Sequence, residues 1–215
     1  MAVTFDTYNS KAEWNLDYLH KTISAPKPKT VAVNIPLVHG DIDLTNRLTG
    51  NQPIFENREL TFYFEIRSMR WSWLRDYQNI LDKIHGRIMN VYLDEDPGFY
   101  WRGRVTVGAL EDHGFTAGFE VKVDAFPFKW SRTPESILSY SSVGTTNATI
   151  DIVPQIALPV FTVVNNLEIT YNSQVFVATS VISSPPGLMF KKGTNQALKL
   201  VGTGAVTVDI YGGYL

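Results

Sequence analysis

Histidines and clustered carboxylates are the side chains of this 215-residue sequence with the widest chemical range, because they bind metals and transfer protons. The four histidines are far apart in the sequence: His20, His39, His85 and His113. None of them stands at an H-x-H or H-E-x-x-H spacing, which would bring two imidazoles to one metal. The sequence therefore predicts no zinc site and no cofactor.

Three consecutive acidic residues, Asp94, Glu95 and Asp96, offer oxygen ligands that a hard cation such as Ca²⁺ prefers. They directly precede Pro97 and Gly98, and acidic residues in this position are common in exposed turns. We interpret the cluster as a turn.

A second group, His39, Asp41 and Asp43 around Gly40, has the residue types of a general base with acidic partners. No G-x-S-x-G elbow or other activated nucleophile accompanies it, and the sequence contains no phosphate-binding G-x-x-x-x-G-K-[ST] or G-x-G-x-x-G motif. We therefore expect a structural loop or subunit contact here, and a protein that is not an enzyme.

Composition excludes further classes. Hydrophobic residues make up 44% of the chain and charged residues 19%, with a formal net charge of -2, so neither a disordered chain nor a basic nucleic-acid surface is indicated. There is no cysteine, which excludes disulfides and thiolate chemistry. No apolar run approaches the roughly 20 residues that a membrane-spanning helix needs.

Period-two alternation dominates the pattern and predicts a mainly β protein. Predicted strands bury alternate residues at Val31, Val33, Ile35 and Leu37; at Leu60, Phe62, Phe64 and Ile66; at Met89, Val91 and Leu93; and at Phe119, Val121, Val123 and Ala125. Further short strands follow, at Leu167, Ile169 and Tyr171 before an Asn172-Ser173 turn, at Val175 and Val177, at Leu198 and Leu200, and at Val206, Val208 and Ile210.

One segment has helical spacing instead. Its apolar stripe consists of Trp73, Leu74, Tyr77, Ile80, Leu81 and Ile84, and predicts an amphipathic helix over about 69–85 that ends at His85 and Gly86. Arg67, Arg70 and Arg75 alternate with Trp71, Trp73 and Tyr77, an arrangement that could stack bases. Because Trp73 and Tyr77 belong to the apolar stripe, we favour packing.

The charge distribution indicates two domains. Residues 134–215 contain only four acidic residues and three lysines, and residues 139–149 are small, polar and uncharged. We expect an N-terminal β-barrel or sandwich with the helix over 1–133, a linker over 134–148, and a C-terminal jelly-roll β-sandwich over 149–215.

Several motifs occur in an order that resembles the phage distal tail protein (Dit) family, over nearly the whole chain. The N-terminal half contains VNIPLVHGDIDLT and ENRELTFYFEI, similar to a Pro-x-x-x-G-x-x-D segment followed by an Arg-x-Leu-x-Phe strand. HGRIMNVYLDEDPGFYWRGRVTV and FEVKVDAFPFKW resemble the next family segments. Residues 185–215, with Gly193 and Asn195 at a Gly-x-Asn turn, resemble the family's galectin-like C-terminal domain.

The resemblance implies a structural subunit of a phage or prophage tail tip. Members of the family form a hexameric hub or baseplate ring that joins the tail tube protein to tip or tail-associated proteins, with DNA passing through the lumen unbound. The expected location is the virion, after assembly in the bacterial host cytoplasm. The family also has members with inserted carbohydrate-binding domains, for which this chain has no room.

A ring of identical subunits needs two unlike surfaces that meet head-to-tail. The predicted contacts are the loop over 37–51 and the polar side of the helix, with these residues: His39, Asp41, Asp43, Arg47, Arg75, Asp76, Asp82 and Lys83.

Two other functions stay open. A carbohydrate-binding accessory protein would use an exposed aromatic residue of the C-terminal domain, such as Tyr171, Tyr211 or Tyr214. A tail-associated hydrolase would need a catalytic carboxylate, and no residue pattern favours one.

Overall fold

The computed structural model describes residues 1–34, 39–45, 53–141, 144–179 and 182–215. The chain divides into two compact units, Met1–Pro127 and Phe128–Leu215. Strands dominate both units, so the predicted mainly β fold class is confirmed.

Within the described residues, the N-terminal unit consists of antiparallel strands and helical segments. Its described strands are β1 (Val3–Phe5), β2 (Tyr8–Asn9), β3 (Tyr18–Ile23), β4 (Ala32–Asn34), β5 (Asp41–Asp43), β6 (Arg58–Ile66), β7 (Ile88–Leu93), β8 (Phe99–Val107), β9 (Glu111–Asp112) and β10 (Ala117–Ala125). Helix α1 spans Ser10–Trp14 and helix α2 spans Trp73–Ile84. The strand order is β2-β1-β7-β8-β10-β6-β3, with β9 added beside β10, and the sheet is not closed.

Alternation decides which face of this sheet is buried. Leu60, Phe62, Phe64 and Ile66 of β6 are all at most 3% exposed. In the antiparallel register Phe62 lies opposite Val121 and Phe64 opposite Phe119, so the apolar faces of β6 and β10 coincide. The strands predicted at 60–66, 89–93 and 119–125 are therefore confirmed, including their buried face.

The strand predicted from Val31 onward does not belong to the main sheet. Ala32–Asn34 pairs with Asp41–Asp43 in a separate two-stranded ribbon, and Val31 and Val33 are 42% and 41% exposed. The expectation of a half-buried strand at these two valines is wrong, because a two-stranded ribbon outside the main sheet does not cover them. Ile35 and Leu37 lie outside the described residues.

Helix α2 confirms the predicted amphipathic helix, with a short 3₁₀ turn at Arg70–Ser72 before it. His85 is its C-cap, and the His85 Nδ1 atom accepts a hydrogen bond from the Val107 N–H at 3.1 Å. Gly86 follows with φ +76°, the left-handed conformation expected after a helix. Trp73, Ile80 and Ile84 are buried, but Leu74 is 70% exposed, so its assignment to the core stripe is wrong.

Every regular element in the described part of the C-terminal unit is a β-strand. Its described strands are β11 (Lys129–Ser131), β12 (Ser136–Tyr140), β13 (Thr145–Val163), β14 (Leu167–Tyr171), β15 (Gln174–Ala178), β16 (Ile182–Ser183), β17 (Phe190–Gly202) and β18 (Val206–Tyr214). The order is β15-β14-β17-β13-β18, with β11 and β12 paired to β18 and β16 paired to β13.

Strand β13 pairs with two different strands of the C-terminal unit. Its first part pairs with β17 and its last part, from Ile156 to Val163, pairs with β18. Register shifts between Ile150 and Ile156 mark where the strand changes partner, in a stretch that contains Pro154. Bulges and a residue without an N–H are the usual means by which a strand bends from one layer to another.

The stretch expected as a linker, 134–148, contains β12 and the beginning of β13. The side chains of β12 are half-buried or exposed, and those of 145–149 alternate between half-buried and exposed. Small polar residues suit such strands, so their composition alone does not separate them from a linker.

Of two turns predicted in this unit, the one at Asn172 and Ser173 lies between strands and the one at Gly193 and Asn195 does not. Asn172 and Ser173, with φ 48° and 62°, form the two-residue turn between β14 and β15. Gly193 and Asn195 lie inside β17 rather than between strands, and Asn195 adopts φ 51° while its N–H donates to the Asp151 carboxylate at 2.7 Å. Val175 and Val177 are on the exposed side of β15.

Replacing Phe62 tests the N-terminal core. Phe62 is fully buried and its ring meets the rings of Phe5 and Tyr18 at 6.2 and 5.7 Å. We expect Phe62→Ala to lower the free energy of unfolding by about 3–5 kcal/mol, because it removes buried surface and leaves a cavity. The same change at Phe115, which is 97% exposed, is the control and should stay within about 0.5 kcal/mol. Denaturant unfolding followed by tryptophan fluorescence measures both variants. Equal losses of unfolding free energy would contradict the assignment of Phe62 to the core.

The C-terminal unit offers a pH test. The Tyr214 hydroxyl donates to the Glu135 carboxylate at 2.7 Å, and burial together with this bond raises the pKa of Tyr214 to about 12. The folded state keeps the proton above pH 10, where the unfolded chain loses it, so this contribution to stability is complete below about pH 10 and lost as the pH rises through about 12.

The expected absorbance difference between the wild type and Tyr214→Phe is one tyrosinate that titrates with a pKa of about 12. Glu135→Gln removes the carboxylate and should lower this pKa. A difference that titrates near the usual value of about 10 would show that the hydrogen bond is absent.

Candidate subunit-interface surfaces

The first predicted contact residues lie on the ribbon of β4 and β5. His39 and Gly40 directly precede β5 and are exposed, and Gly40 has φ +77°. Asp41 is exposed and accepts a hydrogen bond from the Asn34 side-chain amide at 3.0 Å, which ties the two strands together. Asp43 is the last residue of β5, paired with Ala32, and Arg47 lies outside the described residues.

The second group lies on α2, where two residues are engaged within their own subunit. The Asp76 carboxylate accepts hydrogen bonds from the Ser68 and Ser72 hydroxyls at 2.9 and 3.0 Å, at the first turn of the helix. The Lys83 ammonium lies 2.9 Å from the Glu13 carboxylate. These contacts fix the helix to the segments before it and to α1.

Arg75 and Asp82 point to solvent. The Arg75 side chain is 71% exposed, and its guanidinium lies over the Trp71 ring at 5.4 Å and 3.4 Å from Asp76. Asp82 is exposed and accepts from the Gln78 amide at 3.2 Å. Of the four helix residues predicted as contacts, these two are the better placed for a partner.

An exposed apolar group at the start of α2 was not predicted from the sequence, and we call it the knob: Met69, Trp71 and Leu74. These side chains are 71%, 76% and 70% exposed. The contact with Arg75 holds the Trp71 indole at the surface. The signal in the sequence was the position of Leu74 at the margin of the apolar stripe, about 100° from Trp73 on a helical projection.

A cleft of about 600 Å³ between α1, the end of β6 and α2 was not predicted from the sequence either. Its lining includes Trp14, Leu19 and Ile80 together with four carboxylates and two cations: Glu13, Asp17, Glu65, Asp76, Lys11 and Arg67. A hydrogen bond from Lys11 lowers the pKa of Asp17, which keeps that carboxylate charged. No motif marks this cleft, because its lining combines residues 11–19 with residues 65–80, which are far apart in the sequence.

Two arginines beside the knob are engaged by aromatic rings and acids rather than arranged to stack bases. The Arg70 guanidinium lies over the Trp73 ring at 5.7 Å and is paired with Asp112. Trp73 is buried, as the sequence analysis favoured.

The three tyrosines considered for glycan binding are buried or half-buried. Tyr171 is 4% exposed, and its hydroxyl is bonded to Gln196 and accepts from the Lys191 N–H. Tyr211 and Tyr214 are half-buried. The expectation that Tyr171 is an exposed sugar-binding aromatic is wrong, since Tyr171 faces the core on β14.

The acidic turn is used within the N-terminal unit. The Asp94 carboxylate accepts from the Ala2 N–H at 3.2 Å, and Glu95 pairs with Lys21. Within the described residues, no group of three or more His, Asp or Glu side chains is arranged to hold a metal ion. In the same part of the chain, no helix has the length and apolarity to cross a membrane.

Comparison with known proteins identifies a solved structure with a similar fold. No family model and no curated protein matches the sequence. The chain is similar to the crystal structure of the SPP1 protein Dit (gp 19.1), with a TM-score of 0.63 and 11% identity, over 100% of this chain and 99% of that chain. This chain has a Dit-like fold. The SPP1 protein is described as a paradigm of the hub adsorption apparatus in phages that infect Gram-positive hosts.

Replacing Asp76 tests its role at the helix start. We expect Asp76→Ala to lower the free energy of unfolding by about 1–2 kcal/mol, because two serine hydroxyls lose their acceptor and the first helical turn loses a favourable negative charge. Asp82→Ala is the matched control on the exposed side and should change it by less than about 0.5 kcal/mol. Thermal or denaturant unfolding measures both variants. An unchanged free energy of unfolding in Asp76→Ala would contradict this structural role.

Proposed function

We propose that the protein is a structural subunit of a phage tail tip, encoded by a phage or prophage. In this proposal six copies form a closed hub ring that joins the tail tube to tip or baseplate proteins. The protein is then a virion component, assembled in the host cytoplasm, and it catalyses no reaction.

The observation that carries the proposal is the extent of the similarity to SPP1 Dit. It covers 100% of this chain and 99% of that chain, so both units and their order along the chain are included. In the proposed hub, one unit closes the ring and the other receives tip or baseplate proteins. The two compact units, each with its own hydrophobic core, are consistent with that division of roles.

Charge is compatible with a ring around DNA. The formal net charge is -2, with 19 basic and 21 acidic residues. A duplex held by many lysines and arginines would be retained through counterion release, whereas a near-neutral lumen lets it pass. The proposal therefore assigns no specific contact to DNA.

Ring closure requires a heterologous contact, in which two different surfaces of the same chain meet. We assign this contact to the ribbon with His39, Asp41 and Asp43, to Arg47, and to the exposed side of α2. Arg75 and Asp82 contribute most on the helix, while Asp76 and Lys83 support it from within the subunit.

Solution mass tests the proposal. We expect light scattering over a range of protein concentrations to give a species of six copies, and negative-stain imaging to show rings. If the protein alone is monomeric, the ring should form when the tail tube protein of the same phage is added as a template. A monomer under both conditions would contradict the hub function.

A matched pair of charge reversals tests the helix assignment separately. Arg75→Glu should reduce the fraction of the ring, whereas Lys192→Glu, on the exposed side of β17, should not. If both variants keep the ring of the wild type, α2 is not in the contact and the ribbon carries it.

A further inference from the structure

We propose that two copies of the chain join through strand β15 (Gln174–Ala178), the last strand in the strand order of the C-terminal unit. The occupant of this edge is the β15 strand of a second copy, which runs antiparallel to the first. The contact uses only the C-terminal unit and needs no ring, so it goes beyond the proposed function.

The register of β15 with β14 directs some backbone groups of β15 away from the sheet. The turn residues Asn172 and Ser173 both have positive φ, as in a type I′ turn, so the residues on either side of the turn exchange hydrogen bonds. Bonded and non-bonded pairs alternate along an antiparallel ladder. Phe176 is therefore bonded to β14, whereas Val175 and Val177 direct their N–H and C=O groups outward. Within the described residues, no strand pairs with β15 on that side.

Strand β15 lacks the features that usually keep an edge strand from pairing. Its five residues include no charge and no proline, and its register with β14 has no shift. The Val175 and Val177 side chains are 59% and 53% exposed on one face, while Phe176 packs against the C-terminal core. The edge strand β3, by contrast, contains His20 and Lys21 and a register shift. The β15 edge is thus open and apolar.

The sequence of β15 is nearly symmetric about Phe176, which favours a second copy as the occupant. With a two-fold axis at Phe176, Val175 of each copy lies opposite Val177 of the other. Each copy then donates two hydrogen bonds and accepts two, so all the outward-directed groups of both valines are satisfied. A two-fold axis at either valine instead places the other valine opposite a residue beyond the strand.

Side chains on the exposed face suit the same pairing. The two valine pairs are β-branched cross-strand neighbours, which stabilise antiparallel strands. Glu168 of β14 lies opposite Val177 on this face. The Glu168 residues of the two copies are three strand spacings apart, about 14 Å, which exceeds the Debye length of about 8 Å at physiological salt. Like charges therefore do not oppose the contact.

A two-fold contact has a defined consequence for the mass of the protein. Six copies related by one rotation axis cannot each pair with a neighbour across a two-fold axis, so pairing of all six β15 strands joins two rings. Single subunits double from one copy to two, and rings double from six copies to twelve. Two five-residue strands form a contact smaller than the roughly 1,200–2,000 Å² of a stable complex, so the doubling of single subunits depends on concentration. Six such contacts between rings act together.

The experiment compares the solution mass of the full chain over a range of concentrations for the wild type, Val177→Lys and Val164→Lys. A lysine is the charge that natural edge strands use against pairing. Val164 is 70% exposed in the same unit but lies outside β15, so Val164→Lys is the matched control. We expect Val177→Lys to raise the concentration of half-doubling by at least about tenfold, and Val164→Lys to leave it unchanged.

A wild type whose mass does not double at any concentration overturns the inference. An edge that accepts only an extended segment of another protein would give that result. A Val177→Lys protein that doubles like the wild type overturns the inference as well.

Val175→Pro tests the backbone hydrogen bonds directly. The Val175 N–H is directed outward, so proline removes one donor from each copy without breaking a bond to β14. We expect half-doubling at a concentration at least about tenfold higher than for the wild type. Circular dichroism and thermal unfolding establish that each variant is folded before its mass is compared. Unchanged doubling of a folded Val175→Pro protein overturns the backbone pairing.

Cysteine variants test the register, since the chain has no cysteine of its own. Under oxidation, a mixture of Val175→Cys and Val177→Cys proteins should give covalent dimers, because these two positions lie opposite each other across the contact. Either variant alone should give fewer. More dimer from one variant alone than from the mixture overturns the register centred on Phe176.

The β15 contact and the hub function are distinguished by the smallest assembly that remains in Val177→Lys. A mass that falls from twelve copies to six supports both. A mass that falls from two copies to one supports the β15 contact and contradicts the hub, provided that tail tube protein forms no ring either. Six copies in the wild type and in Val177→Lys at every concentration overturn the β15 contact and leave the hub function standing.

Discussion

The burial of one side of helix α2 against the N-terminal sheet is the contact on which the rest of that unit depends. Trp73, Ile80 and Ile84 are at most 5% exposed, and Tyr77 packs its ring edge-on to Phe119 at 5.8 Å and donates its hydroxyl to the Gly108 carbonyl. Burial of each large apolar side chain contributes about 1.5–3 kcal/mol. Because this side of the helix is fixed, the side chains available to another molecule are fixed as well.

The same contact explains why the sequence predicted the N-terminal core so well. A strand that covers a core on one face repeats its apolar residues with period two, and a helix on that core repeats them with period 3.6. Phe62 and Phe64 of β6, Phe119 and Val121 of β10, and Ile80 and Ile84 of α2 obey these periods and are buried. Periodicity reports the buried face directly, since burial is its physical cause.

Prediction failed where burial depends on how much of an element its neighbours cover. Leu74 continues the apolar stripe of α2, yet the sheet does not reach that side of the helix. Val31 and Val33 alternate like core residues but belong to a two-stranded ribbon. Strands β12 and the start of β13 have the composition of a linker, because half-buried and exposed strands accept small polar residues. In each case the exposure depends on neighbouring elements in space, which the local sequence pattern does not report.

The candidate interface shows the same limit for charges. A run of charged residues on a helix identifies a polar side but not the partner of each charge. Lys83 is paired with Glu13, seventy positions earlier in the chain, and Asp76 with two serine hydroxyls. The cleft combines residues of three segments, so no spacing in the sequence announces it. Arg75 was predicted as a contact residue because of its charge, but in the structure its guanidinium covers the exposed Trp71 ring.

The similarity to SPP1 Dit at 11% identity shows that a fold can persist while nearly all of the sequence changes. Core positions tolerate exchange among apolar residues of similar volume, so a fold survives on its pattern. In a ring of identical copies, both sides of every interface are parts of one chain. A substitution on either side of such an interface is therefore present in all copies at once. The residues of such an interface can change while its two sides stay matched, so the contacts of a ring built from this chain would be identified on its own surface rather than carried over from another protein.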